Sequence, residues 1–467
     1  MSIQNWPGGV ISKTPPTPSG PYQTSTAPGV WTLKQATDYI KQGNWPTAGN
    51  FANWVLTLTG SSAPLSTLVV DSSGAFYSCG TTAGSPNTDG LLVKFSSAGV
   101  VSAKKTVTGS DYEMLKVAGV NSSGDIFLFG YNIPSGAGQG QALVMRLNSS
   151  YGVTWQKKFE YSSYANDEGA ALGGIDSSGN VYFNSDFYNG GARYGMQFKL
   201  DSSGAVTWAR QFGGRDTSPR YCCVDSSGNQ YLNILDWYNP GSGIYRQVTM
   251  KIDSSGTLSW NRTIYRGSEN VQPGEGQSIA VDSSGNVYVV GRAKLSGYNS
   301  VFVAKYNSSG TLQWAREIYS TTLALALEGI SVDPSGNVYA VGKDDTNNRI
   351  LVFKYDSSGA LQWQRYLAYS GASLASRGTY ADSSFVYVCG FASSAITGAV
   401  VIKLLNDGSG TGTFGSWTYD AASFTDTASG LTDAAGPYSL STLSAYSTSN
   451  TSLTIGDKTL TETLTGF

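Results

Sequence analysis

Apolar and polar residues alternate in short runs along most of this chain, punctuated by an Asp or Asn, two small polar residues and a Gly. Alternation with period two predicts half-buried strands, and the punctuating tetrads predict type I turns with Gly in the left-handed region. The segment Val281-Asp282-Ser283-Ser284-Gly285-Asn286-Val287-Tyr288-Val289-Val290-Gly291 recurs with its Asp or Asn at 71, 121, 176, 225, 282, 333 and 382, at spacings of 50, 55, 49, 57, 51 and 49. A second segment, typified by Lys305-Tyr306-Asn307-Ser308-Ser309-Gly310-Thr311-Leu312-Gln313-Trp314, interleaves with it. Its basic residue falls at Lys94, Arg146, Lys199, Lys251, Lys305, Lys354 and Lys403. Each period thus holds two hairpins, whose strands are labelled A to D. Four short antiparallel strands in about 50 residues predict an all-β chain, a β-propeller with one blade per period. The β-branched and aromatic alternation argues against helical repeats of similar length.

The two ends set the expected blade count. Strand D carries Trp at 155, 208, 260, 314, 363 and 417, and an unpartnered copy, Asn53-Trp54-Val55-Leu56-Thr57-Leu58, precedes the first A strand. Gly430-Leu431-Thr432-Asp433-Ala434-Ala435-Gly436-Pro437-Tyr438 reads as a degenerate A-turn-B, and residues 451–455 as strand C of the same unit. The prediction is eight four-stranded blades, with N- and C-terminal strands completing one blade and so removing the exposed edges of an open array. Seven blades with an appended tail is the alternative. An aromatic at one strand-B position in every unit favours eight: Tyr77, Phe127, Tyr182, Tyr231, Tyr288, Tyr339, Tyr387 and Tyr438.

Residues 1–50 differ in kind from residues 51–467, the propeller. Pro7, Pro15, Pro16, Pro18, Pro21 and Pro28, with interspersed Gly, Ser and Thr, read as an extended arm. One short helix is expected near 33–42, capped by Thr32 and stopped by Gly43. Trp6, Trp31 and Trp45 are costly to leave in water, so the arm is expected to dock on a partner through them as assembly anchors.

Composition narrows the chemistry. The chain has 467 residues, a net charge of −2 and no histidine. Ser-His-Asp and Cys-His nucleophile systems are therefore excluded, as are the usual His-containing zinc sites, and no broad basic surface invites nucleic acid. Cys79, Cys222, Cys223 and Cys389 are too few for a disulfide framework and read as small thiols buried on strands. The absence of a long apolar run argues against membrane insertion, and the first residues lack the pattern of a cleaved secretory signal. The Asp of each turn offers one carboxylate, where calcium needs six to eight oxygens, so turn chemistry is expected and no metal or other cofactor. The strand-C cations are expected to pair locally rather than ring a channel. The Trp and Arg two apart on strand D are expected to fill and cover the gaps between blades.

Because A–B and C–D links are the tight turns, every B–C and D–A link converges on the opposite face of the disc. Aromatics beside amides and carboxylates on that face suit ligands with CH-rich faces and hydroxyl edges, as sugars have. The candidate ligand residues are Tyr161, Tyr164, Asp186, Tyr188, Asp236, Trp237, Tyr238, Asn239 and Tyr265. Glycoside hydrolysis needs two carboxylates, and Asp167, Glu168, Asp186, Asp236, Glu269 and Glu275 are present, but nothing singles out a pair. The chain is expected to have no catalytic residues and not to be an enzyme.

Blade repeats such as Val332-Asp333-Pro334-Ser335-Gly336-Asn337-Val338-Tyr339 resemble the bacterial β-propeller repeat family of surface and secreted proteins, over about residues 51–420. The arm, with Gly8-Gly9-Val10-Ile11-Ser12-Lys13-Thr14-Pro15-Pro16, Gly29-Val30-Trp31-Thr32-Leu33-Lys34-Gln35 and Gln42-Gly43-Asn44-Trp45-Pro46, looks like a short module of structural proteins in marine tailed bacteriophages. That resemblance implies a virion component assembled in the host cytoplasm, a tail-fibre or head-fibre propeller. Residues 1–50 would join it to other virion proteins, and its loop face would meet host-surface polysaccharide. A purely structural adaptor and a polysaccharide-acting enzyme are the other two readings.

Overall fold

The computed structural model describes residues 53–466 outside 60–64, 84–87, 110, 134–139, 162–172, 190–191, 214–216, 240–242, 296–297, 443–445, 451–452 and 459. Before residue 53 it describes only a hairpin of Asn5–Trp6 with Gly9–Val10. The predicted helix near 33–42, Trp31 and Trp45 lie outside these residues. The described residues contain no helix.

They form seven blades, which corrects the prediction of eight. Blade 1 comprises A, Val69–Val70; B, Phe76–Ala83; C, Thr88–Phe95; and D, Val101–Thr108. Blades 2 to 6 follow over 112–161, 174–213, 217–265, 271–319 and 325–369. Blade 7 takes A, B and C from Ala372–Ala381, Phe385–Ser394 and Gly398–Leu405, and its D strand from Trp54–Thr59 at the start of the chain. The N-terminal strand does supply an outer strand that closes the ring, but in the blade of Tyr387 rather than one begun near Asp433.

The turns obey their local chemistry. In blade 5, Asp282 Oδ1 accepts from the backbone amides of Ser284 and Asn286 at 2.9 Å, while its Oδ2 accepts from the Tyr288 hydroxyl at 2.9 Å. The same Tyr–Asp bond joins Tyr77 to Asp71, Tyr182 to Asp176, Tyr231 to Asp225 and Tyr339 to Asp333. The recurring strand-B aromatic is therefore a lock on its own turn.

Seven apolar clusters fill the seven inter-blade spaces. Each strand-D Trp seals one of them against the C–D turn of the next blade. Trp155, Trp208, Trp260 and Trp314 donate Nε1 to the carbonyls of Ser202, Ser254, Ser308 and Ser357 at 3.1–3.2 Å. The turn Gly, at positive φ, lies against the indole face. The cations of strand C lie over strand-B rings, as Lys305 does over Tyr288 at 5.2 Å, and Lys305 also donates to Ser357 O at 3.2 Å. They pair locally, as expected. On strand D, Arg210 and Arg365 cover Trp208 and Trp363. The four cysteines are free, three of them buried.

The tail is not a blade. From residue 417 it runs backwards round the rim and adds an outermost strand to every blade: Trp417–Ala421 to blade 6, Thr425–Ala428 to 5, Thr432–Ala435 to 4, Ser441–Thr442 to 3, Tyr446–Asn450 to 2, Thr454–Asp457 to 1 and Thr461–Gly466 to 7. Twist of roughly 20–25° per strand accumulates to about 90° across a blade, so a fifth strand runs along the rim instead of along the axis. Seven extended residues span about 23 Å, enough for one step between neighbouring blades. The tail accordingly repeats by seven: Trp417, Phe424, Leu431 and Tyr438, then Leu453 and Leu460, each wedge into a different inter-blade cluster.

Acidic residues fasten this belt. Asp433 pairs with Arg262 of blade 4 and accepts from the Tyr306 hydroxyl of blade 5 at 3.2 Å; Asp426 pairs with Arg316 of blade 5 and accepts from Tyr355 of blade 6 at 2.9 Å. Trp417 and Tyr438 are thus belt wedges rather than strand-D and strand-B residues, and Thr454–Asp457 is a rim strand of blade 1 rather than part of a strand C. Short segments seven residues apart are too brief to build a blade, and seven exposed outer edges offer them a lower-energy place to pair.

Candidate ligand site

Strand B of blades 3 and 4 runs on through Asn189 and Asn239, so Asp186, Tyr188, Asp236, Trp237, Tyr238 and Asn239 lie on strands where the sequence pattern placed loops. Asp186 is buried, with Arg193 Nη1 at 3.7 Å from Oδ2. Asp236 is buried and accepts from the Tyr438 hydroxyl at 2.7 Å. Trp237 is half-buried and stacks on Tyr245 with centroids 5.3 Å apart. Tyr188 pairs with Arg193 through the backbone, and Asn239 with Ile244, with an irregularity at Tyr238. Tyr161 ends strand D of blade 2 opposite Tyr446, and Tyr164 lies outside the described residues. Trp6 faces Gly9 in the N-terminal hairpin.

The half-exposed members gather beside blades 4 and 5. Arg246 lies 4.5 Å from the ring centre of Tyr265, and Arg266 is tied to Glu317 of blade 5, which pins that D–A link. Asn270 accepts from the Tyr245 amide at 2.7 Å and also lines a cleft of about 230 Å³ with Gln272, Arg292, Ala293, Leu325 and Asp345. The cleft is small and rich in amide, carboxylate and guanidinium groups. Its Asp345 is braced by Lys343 at 2.7 Å.

Arg292 connects this cleft to a second feature, on the axis. Strand A of blades 4, 6 and 7 is bulged, and the unpaired residues are Arg220, Glu328 and Arg377. A bulge leaves its extra residue out of the ladder and re-aims its side chain. In blade 5 strand A breaks between Val271–Pro273 and Ile279–Val281, and the intervening chain reaches blade 7: the amide of Gln277 donates to Arg377 O at 2.9 Å. Glu275, on that crossing segment, lies 3.5 Å from Arg292 and 3.3 Å from Arg377, while Glu328 lies 3.4 and 3.5 Å from the same two guanidiniums.

The electrostatics follow from this packing. Burial works against ionisation of Glu275, but Arg292 and Arg377 outweigh it and hold its pKa below the usual carboxylate value. For Glu328 burial prevails over the same two arginines and raises the pKa. Lys116, on strand A of blade 2, is brought down to about 8 by burial and then by Arg377 and Arg220.

Of this axial group, Glu275 alone figured among the residues weighed from sequence. Lys116, Arg220, Glu328 and Arg377 each stand five residues before a turn Asp or Asn, at 121, 225, 333 and 382. Charge at one strand-A offset in four units was the available signal. Among the described residues no cluster of three or more metal-ligating side chains occurs.

Part of the chain matches a known repeat family. Residues 275–294 match the β-propeller repeat family, SBBP. No curated protein matches the chain. Among solved structures it is similar to the Dos1 propeller (11% identity, covering 76% of this chain and 95% of that one, TM-score 0.43). It is also similar to polysaccharide lyase Uly1 (10%, 75% and 99%, 0.46) and to the endosialidase of phage phi92 (10%, 76% and 69%, 0.43). The repeat match and the seven blades agree: the chain carries a β-propeller repeat domain.

Proposed function

We propose that the protein is a non-enzymatic virion component, a fibre-type propeller whose loop face holds host-surface glycans and whose residues 1–50 join it to other virion proteins. The observation that carries the reading is the cleft of Asn270, Gln272, Arg292 and Asp345 beside the Trp237–Tyr245 stack. It sets an aromatic surface next to hydrogen-bonding groups, as sugar recognition requires. At about 230 Å³ the cleft falls below the roughly 300–1,000 Å³ of sites that enclose a drug-sized ligand. Binding per site would be weak, and attachment would draw on many copies per particle. The likeness of the arm to phage structural modules supports the virion assignment, and a belt that pairs the edge of every blade suits a protein exposed outside a cell.

Three carboxylates weighed from sequence, two on this face and Glu275 on the axis, support a binding role over catalysis. Asp186 and Asp236 are buried against Arg193 and Tyr438, and Glu275 is held ionised between two arginines. General acid–base work needs an accessible carboxyl poised to exchange a proton.

A glycan array with the whole chain, repeated with Gln272→Ala and Asp345→Ala, tests the reading. Binding that falls at least tenfold in both variants, at unchanged melting temperature, supports it. Absence of any glycan signal favours the adaptor reading, and turnover of a bound polysaccharide would establish an enzyme.

A further inference from the structure

The geometry points to a second site, on the axis, where Lys116, Arg220 and Arg377 together bind a small oxyanion. At this level of the channel blades 2, 4, 5 and 7 contribute Lys116, Arg220, Arg292 and Arg377, while Glu275 and Glu328 are the acids beside them. Four cations less two carboxylates leave a charge of +2. The two acids are already shared by Arg292 and Arg377. Lys116 and Arg220 stand on other blades without such a pairing, close enough to Arg377 and Glu275 to be shifted by them or to shift them. Ser66 of blade 1 and Gln277 of blade 5, at the same offset from their turns, bring no charge.

Three further observations indicate a ligand. Arg220 and Arg377 are both turned out of the ladder by a bulge five residues before their turns, as Glu328 is in blade 6, while Lys116, at the same offset, pairs with Phe129 in the ladder of blade 2. Arg292 Nε is buried with no hydrogen-bond partner. The level is nevertheless reached by solvent, since Glu275 keeps 53% of its side-chain area exposed and Arg377 31%. Guanidinium groups present planar pairs of donors that match carboxylate and phosphate alike, and an ammonium adds a point charge. Both chemistries therefore fit, as a free anion or as the acid group of a sugar residue. The inference does not depend on the loop face, because Lys116, Arg220 and Arg377 lie on strands A and none of them lines the cleft.

Titration calorimetry on the whole chain with inorganic phosphate, glucuronate and, as a neutral control, glucose tests it. Saturable binding of phosphate or glucuronate but not glucose is expected, and which of the two binds tighter identifies the source. The Lys116→Met/Arg220→Gln variant should bind at least tenfold more weakly, and Lys157→Gln, a charge removed on the rim, should bind as wild type. Because the double variant relieves repulsion, it should also melt no lower than wild type without ligand. No saturable binding of either anion, equal binding by the double variant, or equal loss in Lys157→Gln would overturn the assignment.

Discussion

Tyr438, in the belt, donates its hydroxyl hydrogen to Asp236 Oδ1 at 2.7 Å, and the two are 202 residues apart in sequence. The same hydroxyl lies 3.1 Å from Thr217 Oγ1, so a single belt side chain links strands A and B of blade 4. Tyr438→Phe keeps the wedge but removes a donor from a buried carboxylate. Its expected cost is about 1–3 kcal/mol, measured by chemical denaturation. Asp236→Asn in the Tyr438→Phe background should recover part of that loss, and stability unaffected by Tyr438→Phe would show that the bond contributes nothing.

The belt should behave as a set of wedges. Phe424 is buried between blades 5 and 6, so Phe424→Ala should destabilise by roughly 3 kcal/mol or more. Removing residues 411–467 strips a strand from all seven outer edges and should yield protein that associates through them. Light scattering on the truncated chain checks this, and a monodisperse monomer of unchanged melting temperature would contradict it. Deleting residues 51–60 should be as damaging, because it takes strand D out of blade 7 and leaves Thr461–Gly466 without a partner strand.

Two glycines of similar backbone angle separate strain from packing. Gly310 has φ +79°, and a Cβ there would lie 2.6 Å from the Trp260 ring, whereas Gly243 has φ +68° with nothing within 4 Å. Gly243→Ala should cost about 1 kcal/mol, the penalty of the left-handed region. Gly310→Ala should cost clearly more, since the indole must also move. Equal melting temperatures for the two variants would rule out the Trp–turn contact as a determinant of stability.

Acidic pH should favour one buried carboxyl. Burial, reinforced by Asp111 and Asp89 and opposed by the Asn132 hydrogen bond, raises Glu113 to about 7. An unfolded glutamate titrates near ~4.3. The folded chain therefore holds the extra proton between these values. The associated stability is full below about 4.3 and is lost as pH rises through about 7. Glu113→Gln, which mimics the protonated form, should match wild type near pH 4.5 and exceed it at pH 8 by on the order of 3 kcal/mol. Denaturation curves at the two pH values decide it, and parallel pH profiles would remove Glu113 as the cause.

One place breaks the rule of Trp on Gly, and it shows compensation between blades. Strand D of blade 1 has Ala103 opposite Lys94, where Trp208 and Trp260 face Lys199 and Lys251. The C–D turn it meets in blade 2 has Tyr151 at φ +66°, where the other turns have Gly. Tyr151 packs into the cluster between blades 1 and 2 and lies under Lys105 at 5.1 Å. Ala103→Trp should accordingly be tolerated only with Tyr151→Gly, and a single variant as stable as the pair would refute the coupling.

The sequence by itself determined the blade. Alternation, the Asp-Ser-Ser-Gly turns, the strand-B Tyr and the strand-D Trp are local or nearest-neighbour features, readable because each repeats with its own unit. The turn lock of Tyr288 on Asp282 spans six residues, and the contact of Trp260 with the turn at Ser308 spans about one period. What only the tertiary structure decided is where the ends go and which side chains converge. Leu431 and Asp433 look like the start of another blade because wedge, Thr and acid at period seven mimic a short strand, and only the presence of seven open edges shows that they cap blade 4. Asp236 reads as an exposed ligand group until Tyr438 covers it. Lys116, Arg220 and Arg377 lie on three different repeat units, and only ring closure, with bulges at Arg220 and Arg377, brings them together.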